Sequence, residues 1–262
     1  MFIKAKKSLG QNFLIDKNII NKIISLSDIS NKEVLEVGPG TGNLTEYILK
    51  KRPSKLFLVE KDKLLCEKLQ NKFFNDVCII NQDILEIDEK NISKNKLLVF
   101  GNLPYNISTE IICSWVLKLE KNFWFTELIL MFQKEVADRI ISEINTSNYG
   151  RLSILLGWKL NIKKVFDIGP NCFLPKPKID SSVLHFTPKK NYTKIDNSKN
   201  LEMITRIFFN QRRKMIKNPL KQLFENYEVI AKKLNLDLKS RPQNLSLSDY
   251  CNIVKEYERL IC

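Results

Sequence analysis

Three groups of residues in this chain have the types and spacing to do chemistry. The first is the run Glu36-Val-Gly-Pro-Gly-Thr-Gly42, with glycines at 38, 40 and 42. Glycine lets the backbone turn sharply with no Cβ in the way, so a ligand can lie against bare main chain. A helical pattern opens at Asn43, and its free N–H groups would face whatever is bound. The run suits a nucleotide-type ligand, with a plain tight turn as the alternative. Its G-x-G-x-G spacing differs from the G-x-G-x-x-G of dinucleotide binders, which disfavours a dehydrogenase.

The second group is acidic. KLFLVE ends in Glu60, 18 residues beyond Gly42, about where an α/β nucleotide site places a carboxylate for both ribose hydroxyls. A carboxylate suits that role because it accepts two hydrogen bonds at once. VCIINQD ends in Asp83, a further acidic strand terminus that could accept a hydrogen bond from an adenine amino group. The third group is Asn102-Leu103-Pro104-Tyr105, directly after the apolar run KLLVFG. Asn102 and the carbonyls near Pro104 offer acceptors, and Tyr105 offers a stacking face. Neither side chain is a strong acid or base, so the implied reaction needs positioning more than proton transfer. Phe173, held before Pro175 and Pro177, reads as a core plug or as a second jaw of an aromatic clamp with Tyr105.

The elements that must position these groups alternate. The runs EVLEV (33–37), KLFLVE (55–60), VCIINQD (77–83) and KLLVFGN (96–102) read as buried strands, with a helix opening at Asn43 and an amphipathic helix over 61–74 between them. Asp16 is placed to cap a helix whose Ile19, Ile20, Ile23, Ile24 and Leu26 share one face. The pattern continues through helix 106–119, strand 125–132 and helix 133–145, with a further helix starting at Tyr149-Gly150-Arg151. Strands near 162–168 and 181–187 would form a hairpin completing a seven-stranded sheet. The expected fold is thus α/β, with a Rossmann-like domain over 1–188, a polar linker at 189–199 and a small all-α domain over 200–262. Helices are expected near 199–210, 214–225, 227–234 and 246–260. Residues 1–15, with Lys4, Lys6 and Lys7 before Ser8-Leu9-Gly10-Gln11-Asn12-Phe13, read as a frayed end or as a segment closing over a ligand.

Charge adds a partner. The chain of 262 residues carries 43 Lys+Arg against 29 Asp+Glu, a net charge of +14 that favours a polyanion such as nucleic acid. The excess is concentrated in 188–262, with 16 basic against 8 acidic residues. Within it Arg212, Arg213, Lys214, Lys217 and Lys221 make a basic corner, readable as RNA contacts or as solvated charge. Six cysteines without a C-x-x-C pair read as reduced thiols of a cytoplasmic protein, and the lone His185 reads as a sheet residue, so no metal site is expected. No apolar run approaches the roughly 18 residues of a membrane helix, and no membrane association is expected.

The segments GQNFL, EVGPGTG, VE, QDIL, FGNLPYNIST, YGRLS, CFLPKPKIDSSV and FNQRRK, spanning 8–215, together resemble the ribosomal RNA adenine N6,N6-dimethyltransferases, most closely those acting on the small subunit. No motif position expected to contact substrate departs from the pattern. The resemblance implies a class I methyltransferase fold with S-adenosylmethionine as methyl donor. By motif position it implies cofactor contacts from Asn12, Leu14, Gly38, Gly40, Glu60, Asp83 and Asn102. Glu60 would hold the ribose and Asp83 the adenine amino group. It further implies that Asn102 and a carbonyl of Leu103 or Pro104 bind the target amino group, while Tyr105 and Phe173 sandwich the flipped base. The implied activity is dimethylation of two adjacent adenosines near the 3′ end of small-subunit (16S) rRNA, as naked RNA or in the immature small subunit, and a monomer is expected. Arg212, Arg213, Lys214 and Lys217 would grip RNA phosphates.

The nearest rival is the methyltransferase class that modifies large-subunit rRNA and confers macrolide resistance; YGRLS and FNQRRK favour the small-subunit enzyme by resemblance. A DNA adenine methyltransferase would more typically carry D/N-P-P-Y/W, against Leu103 here. A non-catalytic ribosome-assembly factor fits poorly with an intact glycine turn, Glu60 and Asn102.

Overall fold

The computed structural model describes residues 6, 9–119 and 122–261. The expectations for Lys4, Lys7, Ser8 and Cys262 concern positions outside these. The chain divides into two compact units. One comprises Met1–Ile112, Leu119–Ala137 and Ile162–Pro188; the other comprises Cys113–Lys118, Asp138–Asn161 and Lys189–Cys262.

In chain order, β1 (Phe13–Leu14) precedes α1 (Lys17–Ile24), then β2 (Glu33–Val37), α2 (Asn43–Lys50), β3 (Lys55–Val59) and α3 (Lys63–Phe73). Next come β4 (Cys78–Ile80), β5 (Leu97–Gly101), α4 (Ser108–Lys118), β6 (Phe125–Gln133), α5 (Lys134–Ile140) and α6 (Arg151–Lys159). They are followed by β7 (Leu160–Ile168), β8 (Phe173–Leu174) and β9 (Ser181–Pro188). The chain ends in α7 (Ser198–Asn210), α8 (Lys217–Leu223), α9 (Tyr227–Lys233) and α10 (Leu247–Ile261).

The sheet has seven strands in the order β4-β3-β2-β5-β6-β9-β7. Strands β4, β3, β2, β5 and β6 pair in parallel, β9 runs antiparallel to β6, and β7 lies next to β9 at the edge. The apolar runs of β2, β3 and β5 are buried on both faces, as a parallel sheet needs. Order reverses between β2 and β5, so a crevice opens past their C-terminal ends, the place where such sheets bind ligands. Asp16 caps α1 by accepting from the N–H groups of Asn18 and Ile19. His185 sits on β9 with Nε2 2.9 Å from Glu127 Oε2, a sheet residue as expected. The short β1 pairs antiparallel with β8, so Phe13 and Leu14 are tied into the unit rather than frayed.

The helical unit has its own core, in which Trp158, Leu201, Phe208, Leu220, Tyr250 and Val254 pack together. This unit takes in Lys189–Cys262 together with α6, which the sequence pattern places in a domain over 1–188. The reason is the apolar face of α6, whose Ile154, Leu155 and Trp158 belong to that core. The polar stretch after 188 is also fastened within the unit. Trp158 Nε1 donates to the Thr193 carbonyl at 2.7 Å, and the N–H groups of Asp196 and Asn197 donate to Glu258. Helix α8 begins at Lys217 rather than near 214, because Ile216 is fully buried and its N–H is held by the Ser240 carbonyl.

Gly42, at φ +75°, caps α2, and a Cβ there would stand 2.6 Å from Phe73 Cε2 and 2.8 Å from Leu69 Cδ2. Left-handed strain and overpacking therefore act together in Gly42→Ala. That substitution is expected to destabilise the protein by about 2–4 kcal/mol, measured as a lowered midpoint in urea with the slope retained.

Candidate active site

Register assembles the site. Val37 pairs with Val59 on one side and Gly101 on the other, so the next residues, Gly38, Glu60 and Asn102, come out side by side. A Cβ on Gly38, at φ +69°, would lie only 3.2 Å from the Asn102 carbonyl oxygen. Gly40, at φ +59°, lies beneath the Phe13 ring, whose nearest carbon would be 2.6 Å from an added Cβ. A cavity of about 180 Å³ lies above this junction. Its walls come from residues 9–13, the glycine turn, Glu60, Gln82 to Leu85 and Asn102 to Ile107.

Glu60 is 8% exposed. Its Oε2 accepts from the Gly40 N–H at 3.2 Å and its Oε1 from the Asp62 N–H at 2.9 Å. Burial pushes its pKa up, and those two N–H groups oppose the rise. Each oxygen keeps a lone pair, so the carboxylate can still accept two hydroxyl protons. Asp83 lies three residues beyond β4, where it caps a short 3-10 turn by accepting from the Leu85 N–H. Burial alone would raise its pKa, but the Lys61 ammonium at 2.6 Å and the Leu85 N–H overcome that and keep it ionised.

The Asn102 side chain is oriented by the N-terminal segment. Its Nδ2 donates to the Asn12 carbonyl at 2.7 Å, which turns Oδ1 away as an acceptor. The Pro104 carbonyl is used by the Ile107 N–H in a turn, which leaves the Leu103 carbonyl as the freer acceptor beside Asn102. The Leu103 side chain itself is buried. Tyr105 is half-buried with its hydroxyl 2.5 Å from Ser181 Oγ, which holds it at the cavity wall.

Asn12, Gly38, Gly40, Glu60, Asp83, Asn102, Leu103, Pro104 and Tyr105 therefore converge on one cavity. Leu14 and Phe173 do not. The two pair across β1 and β8, and both lie in the apolar core at 4% and 2% exposure. Of the two readings of Phe173, the structure takes the core plug, because its strand position turns the ring inward. In the helical unit Arg212 also departs from a free phosphate contact. Its guanidinium donates to the carbonyls of Thr146 and Ser147, and Nε donates to Gln243. Arg213, Lys214 and Lys217 are exposed, and among the described residues no ion pair engages them.

Sequence reasoning gave no role to Glu36, whose signal was an acidic residue among the buried apolar positions of β2. It is 2% exposed, accepts from Thr45 Oγ1 at 2.6 Å and borders a second small cavity of about 20 Å³ beside Gly38 and Asn102. Burial, reinforced by the Glu60 charge, pushes its pKa up to about 8, against the opposing pull of the Thr45 bond and Lys72. The folded state therefore favours the protonated form. That stability is fully present below the ordinary pKa of 4.5 and is lost as pH rises toward 8. Glu36→Gln is expected to remove this dependence, gaining roughly 1–4 kcal/mol over the native chain at pH 8 and little at pH 5 in denaturation curves.

Comparisons with known proteins agree with this geometry. The family model for ribosomal RNA adenine dimethylase matches residues 2–259. The chain is 63% identical over 260 residues to a ribosomal RNA small subunit methyltransferase A of Pelagibacter ubique, covering 99% of each chain. It is 42% identical over 255 residues to the protein of the same description in Ehrlichia ruminantium, covering 96% of each. In fold it is similar to a dimethyladenosine transferase from Plasmodium falciparum, with TM-score 0.76 at 24% identity over 94% of this chain and 97% of that one. The 23S rRNA methyltransferase ErmE shares the fold at TM-score 0.67 and 20% identity, over 95% of this chain and all of that one. With a match over nearly its whole length, the chain belongs to the ribosomal RNA adenine dimethylase family.

Proposed function

We propose that this protein dimethylates the N6 amino group of two adjacent adenosines near the 3′ end of small-subunit rRNA, as a monomer in the cytoplasm acting on immature small subunits. As a family member it is an rRNA adenine dimethyltransferase that uses S-adenosylmethionine. The observation that carries the reading is the Asn102 amide at the cavity wall, whose Nδ2 is engaged by the Asn12 carbonyl so that its oxygen is left as the acceptor.

The residues fit the cofactor. Gly38 and Gly40 leave room for a ligand against the main chain, Glu60 offers both oxygens to a ribose diol, and ionised Asp83 accepts from an amino group. S-adenosylmethionine supplies a methyl group already activated by its sulfonium. What remains for the protein is alignment. An adenine amino nitrogen is a poor nucleophile because its lone pair is delocalised into the ring. Accepting its two N–H protons at Asn102 Oδ1 and the Leu103 carbonyl would favour a pyramidal nitrogen with a localised lone pair. Tyr105 stacks on the flipped base, a contact of about 1–3 kcal/mol. Holding the two reactants in line can supply on the order of 7–11 kcal/mol of the barrier. The nitrogen sheds its proton to water once methylated.

The helical unit supplies charge for RNA. Arg213, Lys214 and Lys217 stand exposed on and beside the turn that opens α8, available for phosphates. Arg212 serves them indirectly, by bracing the 146–147 segment.

Incubation with labelled S-adenosylmethionine and immature small subunits, followed by primer extension, should find two dimethylated adenosines near the RNA 3′ end. Label in large-subunit RNA alone would overturn the reading. Asn102→Ala should lower transfer by about two to three orders of magnitude while leaving the melting temperature unchanged. Arg213→Ala with Lys214→Ala should weaken RNA binding and flatten its log–log salt slope by roughly 1–2, sparing cofactor affinity.

A further inference from the structure

The Asp62 N–H holds Glu60, and its side chain also reaches the N-terminal segment through Lys6 and Gln11. The residue is 5% exposed at the start of α3. Its own N–H donates to Glu60 Oε1 at 2.9 Å. Its side chain accepts from the Leu64 N–H at 3.1 Å, as a helix cap does. The remaining capacity goes to the N-terminal segment: Oδ1 accepts from Lys6 Nζ at 2.9 Å and Oδ2 from Gln11 Nε2 at 3.2 Å. Gln11 Oε1 in turn accepts from the Lys6 main-chain N–H at 2.8 Å. A cap needs one carboxylate oxygen. The second oxygen and the added cation are surplus to capping and bind only the segment.

That segment is a wall of the cavity. Leu9 to Phe13 line it, the Phe13 ring lies over Gly40, and the Asn12 carbonyl holds Asn102. On its C-terminal side the segment is anchored by β1 pairing with β8. On its N-terminal side Asp62 is the anchor.

From this geometry we infer that Asp62 and Gln11 form a latch that holds the N-terminal segment closed over bound cofactor and sets how fast the cofactor is exchanged. The inference rests on the assignment of this cavity to S-adenosylmethionine. Two methyl groups on one amine require two cofactor molecules, so the spent cofactor must leave past this wall between transfers. Asp62 is a positioning residue: it touches neither reactant and acts through Gln11 and Asn12.

The test is Asp62→Asn in the full-length protein. Asn caps a helix as well as Asp does, so α3 is kept. With Oδ1 kept at the cap, the new amide presents a donor where Gln11 also donates, and the charge that faces Lys6 is lost, which opens the latch. The expected result is a dissociation rate of S-adenosylhomocysteine, measured by stopped flow, raised about tenfold, the equivalent of one lost charge-assisted hydrogen bond. KM for S-adenosylmethionine should rise with kcat held or increased, and the melting temperature should not move. Gln11→Ala should raise the dissociation rate to a similar extent, and the double variant should exceed neither single one by more than about twofold. Unchanged dissociation rates, additive effects, or a loss of kcat with KM unaltered would each overturn the latch. Failure of the native protein to bind S-adenosylhomocysteine would remove the cofactor assignment and the latch together.

Discussion

Parallel pairing of β2 between β3 and β5 is the constraint from which the site follows. Because Val37 is level with both Val59 and Gly101, three chain segments distant in sequence end at one height. Their next residues must share a small space. Only glycine at 38 tolerates the Asn102 carbonyl so close, and only a strand end can present Glu60 to the same crevice. The apolar runs that make the sheet and the polar residues that follow them are one device: burial fixes the strands, and the fixed strands fix the polar groups.

Within that frame the polar groups restrain one another before any ligand arrives. Glu60 is held by Gly40 and Asp62, Asp83 by Lys61 and Leu85, Asn102 by Asn12, and Tyr105 by Ser181. A site that works by alignment gains from such restraint, because the ordering is complete before the reaction starts. It also explains why so few titratable groups with shifted pKa values crowd the acceptor side of the cavity. In the reaction proposed above the acceptors would be an amide and a carbonyl, which stay acceptors at any ordinary pH.

Much of this was legible in the sequence, for a definite reason. Glycines, Glu60, Asp83 and Asn102 are polar or unsubstituted residues placed directly after apolar runs, and strand ends are where such runs stop. What was not legible depends on direction rather than position. Phe173 carries nothing in its sequence neighbourhood to say whether its ring faces core or cavity; pairing with Leu14 decides it. The run Arg212-Arg213-Lys214 looks uniform, yet the first turns inward to three acceptors and the others stay in solvent. Helix α6 shows an apolar face but cannot announce which core will receive it, and the helical unit does so through Trp158. Asp62 and Gln11 are paired across 51 residues, a contact that no local pattern encodes.

The bond between the Asn12 carbonyl and the Asn102 amide makes one piece of structure serve two sites. The wall that retains the donor also aims the acceptor for the target amine. If the latch proposed above opens that wall to exchange the donor, the same movement would free the Asn102 amide, so that donor exchange and aiming of the acceptor would be coupled through one hydrogen bond.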